Sequence, residues 1–255
     1  MTKEGEVLRS VAGWANRYRA EFGVNRRLLT VLENPFGALR WFFGHAFARA
    51  GAERIGYGAI AITALGAAVL QAGSFTALMA RPDAPSLVWK AFTVACETAN
   101  VGLNAERNKG VVEGLVALAR EAPEHNIFLW AKGLLLSGRA EDAFIVLRGV
   151  KGIGDKVAAF ILRDLADILG AEELTPPEDR VYFQPVDRWV RATAEIIWPD
   201  LHPRTPGWVI ARRIVRRCVR HGVSSVAFNQ GAWYLGAMVA KDRRKLAAIL
   251  TSQKL

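Results

Sequence analysis

Cysteine is nearly absent: Cys96 and Cys218 are the only two in 255 residues, they lie far apart, and neither belongs to a CxxC or a Cys/His cluster. A four-cysteine iron–sulfur cluster is thereby excluded, and the ligand spacing of a zinc site is missing. No metal or other cofactor is expected. Two isolated cysteines read as buried, reduced thiols of a cytoplasmic protein. Alternating runs of β-branched residues are missing too, as is any repeat of fixed period. The opening MTKEGEVLRSVAGW mixes charges of both signs and has no long apolar stretch, so it does not read as a secretory signal. Acidic residues are in deficit. The 24 Asp+Glu stand against 34 Lys+Arg, leaving a formal charge of +10 and a pI near 10.1. That balance favours a polyanionic partner, either nucleic acid or an acidic membrane surface.

What is present is helical spacing almost throughout. The periodicity predicts helices over 5–21, 36–50, 57–71, 85–99, 109–121, 125–137, 140–148, 155–169, 187–198, 206–221 and 224–240. Helix stops separate them, among them ENPFG, RPDAPS, EAPEH and HPRTPG. The longest irregular piece is GAEELTPPEDRVYFQP, residues 170–185. The expected fold class is all-α, with many short helices. One stretch tests solubility: residues 55–80, IGYGAIAITALGAAVLQAGSFTALMA, carry no charge and are long enough to span a bilayer. Its Gly and Ala content and the interruption at QAGS read better as a buried helix, a turn and part of a second helix.

The stretch LRGVKGIGDKVAAFILRDL, residues 147–165, poses a sharper question. An amphipathic helix ends, two glycines flank an isoleucine, and a second helix begins with a lysine in its first turn. Gly152 and Gly154 allow a tight connection, and Ile153 can anchor it in the core. N–H groups freed at the second helix's N-terminus can hold a phosphate without reading a base, and Lys151 adds charge beside them. A plain helix–helix turn accounts for the glycines equally well. Downstream, QPVDRWVRATAEII places Asp187 immediately before an amphipathic helix, where it serves as an N-cap.

Together, VKGIGDKVA and the later PVD resemble the helix-hairpin-helix DNA glycosylase superfamily, over residues 141–191. The resemblance implies two helical lobes with the active site in the cleft between them. One lobe spans 50–170 and ends in the hairpin unit, 141–169. The other comprises 1–49 and 171–255 and carries the aspartate and a basic helix. In that superfamily a lysine at the position of Lys156 marks enzymes that both remove a base and cleave the backbone. Lys156 and Asp187 are thus the expected catalytic pair. Lysine attacks the anomeric carbon only as a neutral amine, a form that a helix N-terminus and partial desolvation favour. Asp187 would stabilise the cationic sugar and assist proton movement. The Schiff base so formed permits β-elimination of the 3′ phosphate, once the damaged base has been flipped from the duplex.

Lys156, Phe160 and Arg163 share one helix face by spacing, and Asn229 and Trp233 share another on the last long helix. Phe160 and Trp233 offer stacking planes, or plain core packing; Asn229 offers both donor and acceptor to a base edge. The 31 positions from 156 to 187, and the missing cluster cysteines, are similar to the archaeal-type 8-oxoguanine DNA glycosylases. That family has an aromatic one turn beyond the lysine and a tryptophan on a late helix, matching Phe160 and Trp233. It has an acid where this chain has Asn229, and a lysine near the place of Arg163. The expected base pocket is therefore Phe160, Arg163, Asn229 and Trp233. The resemblance implies a monomeric, nucleoid-associated enzyme acting on double-stranded DNA that contains a damaged base, with no membrane partner.

The segment RTPGWVIARRIVRRCVRHG adds a basic stripe, in which Arg213, Arg216, Arg217 and Arg220 are candidate phosphate contacts alongside Lys151, Gly152 and Gly154. A solvated helix face reads the same way. Two other functions fit the sequence: a glycosylase for an oxidised pyrimidine or alkylated purine, and a non-catalytic helix-hairpin-helix DNA-binding protein. The latter has no use for Lys156 or Asp187.

Overall fold

The computed structural model describes residues 2–48 and 56–252, and every regular element within them is helical. The end of the helix predicted over 36–50, and the lobe boundary expected at 50, lie outside the described residues. The chain forms two compact units. The first comprises Met1–Arg26, Leu135–Glu141 and Leu162–Leu255; the second comprises Arg27–Leu134 and Asp142–Ile161. These limits differ from those expected. Residues 27–48 group with the second unit because Asn126 Nδ2 donates to the carbonyls of Leu32 and Glu33, at 3.0 and 3.1 Å. The following helix, Pro35–Phe47, then packs on Tyr57–Ala72 and Ala105–Glu121. The helix Asp155–Leu169 passes from one unit to the other between Ile161 and Leu162.

In the second unit the charge-free stretch forms Tyr57–Ala72, a turn, and Phe75–Ala80. Gly73 takes φ +87° at the turn, and Ser74 caps the second helix by accepting from Ala77 N. The longer helix buries Ile60, Ala61, Ala64, Leu65 and Ala68 and packs mainly on Ala84–Thr98. No helix among the described residues is long and apolar enough to cross a membrane.

In the first unit the predicted 5–21 helix is broken into Lys3–Gly13 and Ala15–Phe22. The break lies where the chain crosses Ser225–Tyr234. A Cβ on Gly231 would sit 1.9 Å from the carbonyl oxygen of Val11. Only glycine permits that approach, and the N–H of Trp14 turns back to Val11 O at 3.1 Å. Val7, Leu8 and Val11 pack with Val190, Ile210, Ile214, Cys218 and Phe228 in one core. A helix absent from the predicted set, Arg243–Ser252, closes this core with Leu246 and Leu250. Asp242 starts it by accepting from the backbone N–H of Arg244 and Lys245.

Candidate functional site

The hairpin between Ala140–Gly149 and Asp155–Leu169 is seated in the second unit by glycines on both sides of the contact. Gly152 takes φ +93°, and a Cβ there would meet Val111 Cγ2 at 2.8 Å and the Arg107 carbonyl at 2.9 Å. From the opposite side, a Cβ on Gly110 would lie 2.6 Å from Lys151 O, and one on Gly114 would lie 2.7 Å from Val150 Cγ1. The hairpin thus lies almost backbone to backbone on the helix Ala105–Glu121. Ile153 is buried, the anchor its position suggested. Gly154 is exposed and has open space around its missing Cβ, so backbone approach by a ligand is unobstructed there. Lys151 Nζ lies 3.1 Å from Glu106 Oε1, so its charge is already paired.

Lys156 occupies the first turn of Asp155–Leu169 and is exposed. The chain alone does not supply the desolvation expected for it. Arg148 and Asp155 form an ion pair beside it. One turn on, Phe160 stacks on His45 at 5.0 Å between ring centroids, and His45 stacks on Trp41 at 3.6 Å. The His45 ring is fixed from below by Nδ1, 3.1 Å from Trp41 O.

Asp187 is the N-cap of Arg188–Ile197, as its sequence position predicts. Its Oδ1 accepts from Trp189 N and Val190 N, both at 2.9 Å. Its Oδ2 is buried and accepts no hydrogen bond among the described residues. One oxygen suffices for the cap; the second is left without a donor there. Leaving a buried acceptor unmade costs about 1–3 kcal/mol.

Arg163 and Asn229 come together in the first unit, but not as the walls of a pocket. Both are fully buried, and Arg163 Nη1 donates to Asn229 Oδ1 at 3.0 Å. Arg163 also pairs with Asp164 at 2.9 Å and donates to the Tyr18 hydroxyl. Tyr18 in turn donates to Asp164 Oδ2 at 2.7 Å. Asn229 Nδ2 donates to Gln184 Oε1 at 3.1 Å and to Pro185 O at 3.4 Å. Every polar position of the Asn229 side chain is engaged within the protein, which corrects the expectation that it faces a base edge. The same holds for Arg163, whose guanidinium lies 4.7 Å from the Tyr18 ring centroid.

Burial disfavours the arginine cation, but Asp164 and Tyr18 outweigh it and hold the Arg163 pKa above its ordinary value. Burial pushes the Tyr18 phenol well up, with Asp164 adding to the rise and Arg163 opposing it. Trp233, half-buried, meets Tyr18 edge-on at 5.8 Å and Phe22 at 5.4 Å.

Sequence reasoning therefore missed Tyr18, Asp164 and Gln184, which complete this network, and Gly110 and Gly114, which seat the hairpin. The glycine pair at i and i+4 in KGVVEG was a readable signal of close helix approach. Nothing in the local sequence marked Tyr18 or Gln184, whose partners are distant in the chain. The arginine stripe forms as expected on Gly207–Arg220, where Arg213, Arg216, Arg217 and Arg220 share one face. Among the described residues no group of three or more His, Cys, Asp or Glu is placed to hold a metal ion.

Comparison with known protein families, with curated proteins and with solved structures finds no match to this chain.

Proposed function

We propose that this protein is a bifunctional DNA glycosylase and AP lyase that removes an oxidised purine, 8-oxoguanine foremost. Its architecture in this proposal is the two-lobed helix-hairpin-helix fold with the active site between the lobes. The observation that carries the proposal is the buried Oδ2 of Asp187, which accepts no hydrogen bond among the described residues. A capping aspartate needs one acceptor, whereas a buried carboxylate oxygen without a donor is the kind of unfavourable feature retained where the group is used. Support comes also from the glycine-seated hairpin, which Lys156 follows in the first turn of Asp155–Leu169.

The chemistry follows from an amine and a carboxylate. Lys156 Nζ, as the neutral amine, attacks C1′; the glycosidic bond breaks and the base leaves with a proton. Loss of an amine proton, with opening of the sugar ring, gives the Schiff base. That cation acidifies C2′, whose proton departs as the 3′ phosphate is expelled; hydrolysis then returns the lysine. Asp187 Oδ2 stabilises positive charge on the sugar and relays protons. Backbone N–H groups at Gly154 and the following turn hold a phosphate of double-stranded DNA. The enzyme acts as a monomer. With Arg163 and Asn229 engaged internally, base selection falls to Phe160 and Trp233, and an oxidised pyrimidine or alkylated purine is the second substrate class to try.

The test is an end-labelled duplex with one 8-oxoguanine, scored separately for base release and for strand scission. Release coupled to a β-elimination product supports the proposal. Tight duplex binding with neither event on 8-oxoguanine, oxidised pyrimidine or alkylated purine leaves the hairpin as a DNA grip.

A further inference from the structure

The helix Gly207–Arg220 carries a concavity of about 470 Å³ lined by Leu201, Val209, Arg213, Arg216, Arg217 and Arg220. The four arginines fall at i, i+3, i+4 and i+7, so their guanidinium groups rim one face while Leu201 and Val209 form an apolar floor. Two of the four are already matched by acids. Arg213 pairs with Asp200 at 2.7 Å and Arg217 with Glu4 at 3.4 Å. Arg216 and Arg220 are exposed and make no ion pair among the described residues. One turn before Arg216, Arg212 lies over the ring of Trp208 at 5.0 Å, and that tryptophan is 61% exposed.

A duplex backbone needs cations on an open face and has nothing apolar to place against leucine and valine. The concavity has the volume of a ligand pocket, about 300–1,000 Å³, and suits one bulky apolar side chain flanked by carboxylates. Arginine is among the residue types that dominate protein–protein binding energy. We propose that this face docks an acidic segment of a partner protein, one apolar side chain entering the concavity and its carboxylates pairing with Arg216 and Arg220. Two acids, Asp200 and Glu4, already show how carboxylates sit against this rim. The proposal is independent of the glycosylase activity.

The test uses the full chain and a fluorescein-labelled peptide of alternating Asp and Phe, with an Asp/Gly peptide and a lesion-free duplex as comparisons. Fluorescence anisotropy is expected to show binding of the Asp/Phe peptide at least about tenfold tighter than Asp/Gly. The exposed-site variant Arg216→Glu/Arg220→Glu, checked for unchanged circular dichroism, is expected to weaken the peptide by at least about tenfold and by clearly more than it weakens the duplex. Val209→Asp, which puts a charge on the floor, should do the same. Equal binding of both peptides would show an unspecific polyanion surface and overturn the proposal. Loss of duplex affinity without peptide binding would assign the face to the DNA backbone and overturn it as well.

Discussion

Arg163 Nη1 donates to Asn229 Oδ1 at 3.0 Å, joining two residues 66 positions apart inside the core of one unit. The bond does more than fill space. Asn229 uses its amide to hold Gln184 and the carbonyl of Pro185, the segment that ends at Asp187. Arg163 and Asn229 therefore brace the segment that leads to Asp187. The charge of Arg163 is balanced by Asp164.

Asn229→Asp tests that coupling. An aspartate cannot donate to Gln184 and Pro185, and it adds a second carboxylate beside Asp164. Urea unfolding should show a loss of about 2–4 kcal/mol. Arg163→Met, which removes the buried cation beside Asp164, should lose about 3–5 kcal/mol. Unchanged stability in both variants would mean that the network is not the scaffold described.

Asp187→Asn keeps an Oδ1 acceptor for Trp189 and Val190, so its melting temperature should stay close to wild type. Single-turnover base release should nevertheless fall by about 10²–10⁴-fold. Asp187→Ala should lose activity and also about 1 kcal/mol of stability. Full activity in the asparagine variant would reduce Asp187 to its cap.

The helix-period pattern was enough to read most of the fold. Tyr57–Ala72, Asp155–Leu169 and the turn at Gly73 fall where spacing, glycine and capping residues put them. The missed helix Arg243–Ser252 hides behind the charge run KDRRK, because its core-facing residues, Leu246 and Leu250 with Ile249 beside them, begin only after three cations. The break at Trp14 is tertiary: it follows from Gly231 across the helix crossing, which no local pattern records. Of the candidate site, Lys156, Asp187 and the hairpin were visible through their local motifs. The partners of Arg163 and Asn229 were not, since spacing along one helix says which residues share a face but not what that face meets.

The hairpin glycines should behave differently from one another. Gly152→Ala meets both a positive φ and contacts under 3.0 Å, and Gly110→Ala meets the Lys151 backbone. Each should destabilise the protein by about 1–3 kcal/mol and weaken duplex binding with it. Gly154→Ala has room for its methyl group, so stability should hold while a methyl group intrudes where a phosphate approaches. Thermal melts paired with anisotropy on a duplex check this. Loss of stability in Gly154→Ala equal to that in Gly152→Ala would contradict it.

A pH dependence follows from Glu4. Burial raises its carboxyl, but hydrogen bonds from Trp198 and His221 and the charge of Arg217 outweigh that and hold it below the ordinary value of 4.5. A lowered folded-state pKa contributes stability above 4.5 that is lost as pH falls through the folded value. Glu4→Gln should thus be less stable than wild type near neutrality, by no more than about 1 kcal/mol for so partly exposed a group. The difference should vanish in acid. Denaturant melts of both proteins across this range decide it; a difference constant with pH would contradict the assignment.

The proposed chemistry requires a covalent intermediate on Lys156, and borohydride trapping measures it directly. The wild-type protein is mixed with a duplex carrying 8-oxoguanine and reduced, with Lys156→Gln alongside. A protein–DNA adduct in the wild type that is absent from Lys156→Gln is the predicted result. Duplex binding with no adduct on 8-oxoguanine or the other lesions, or an adduct that persists in Lys156→Gln, would contradict it.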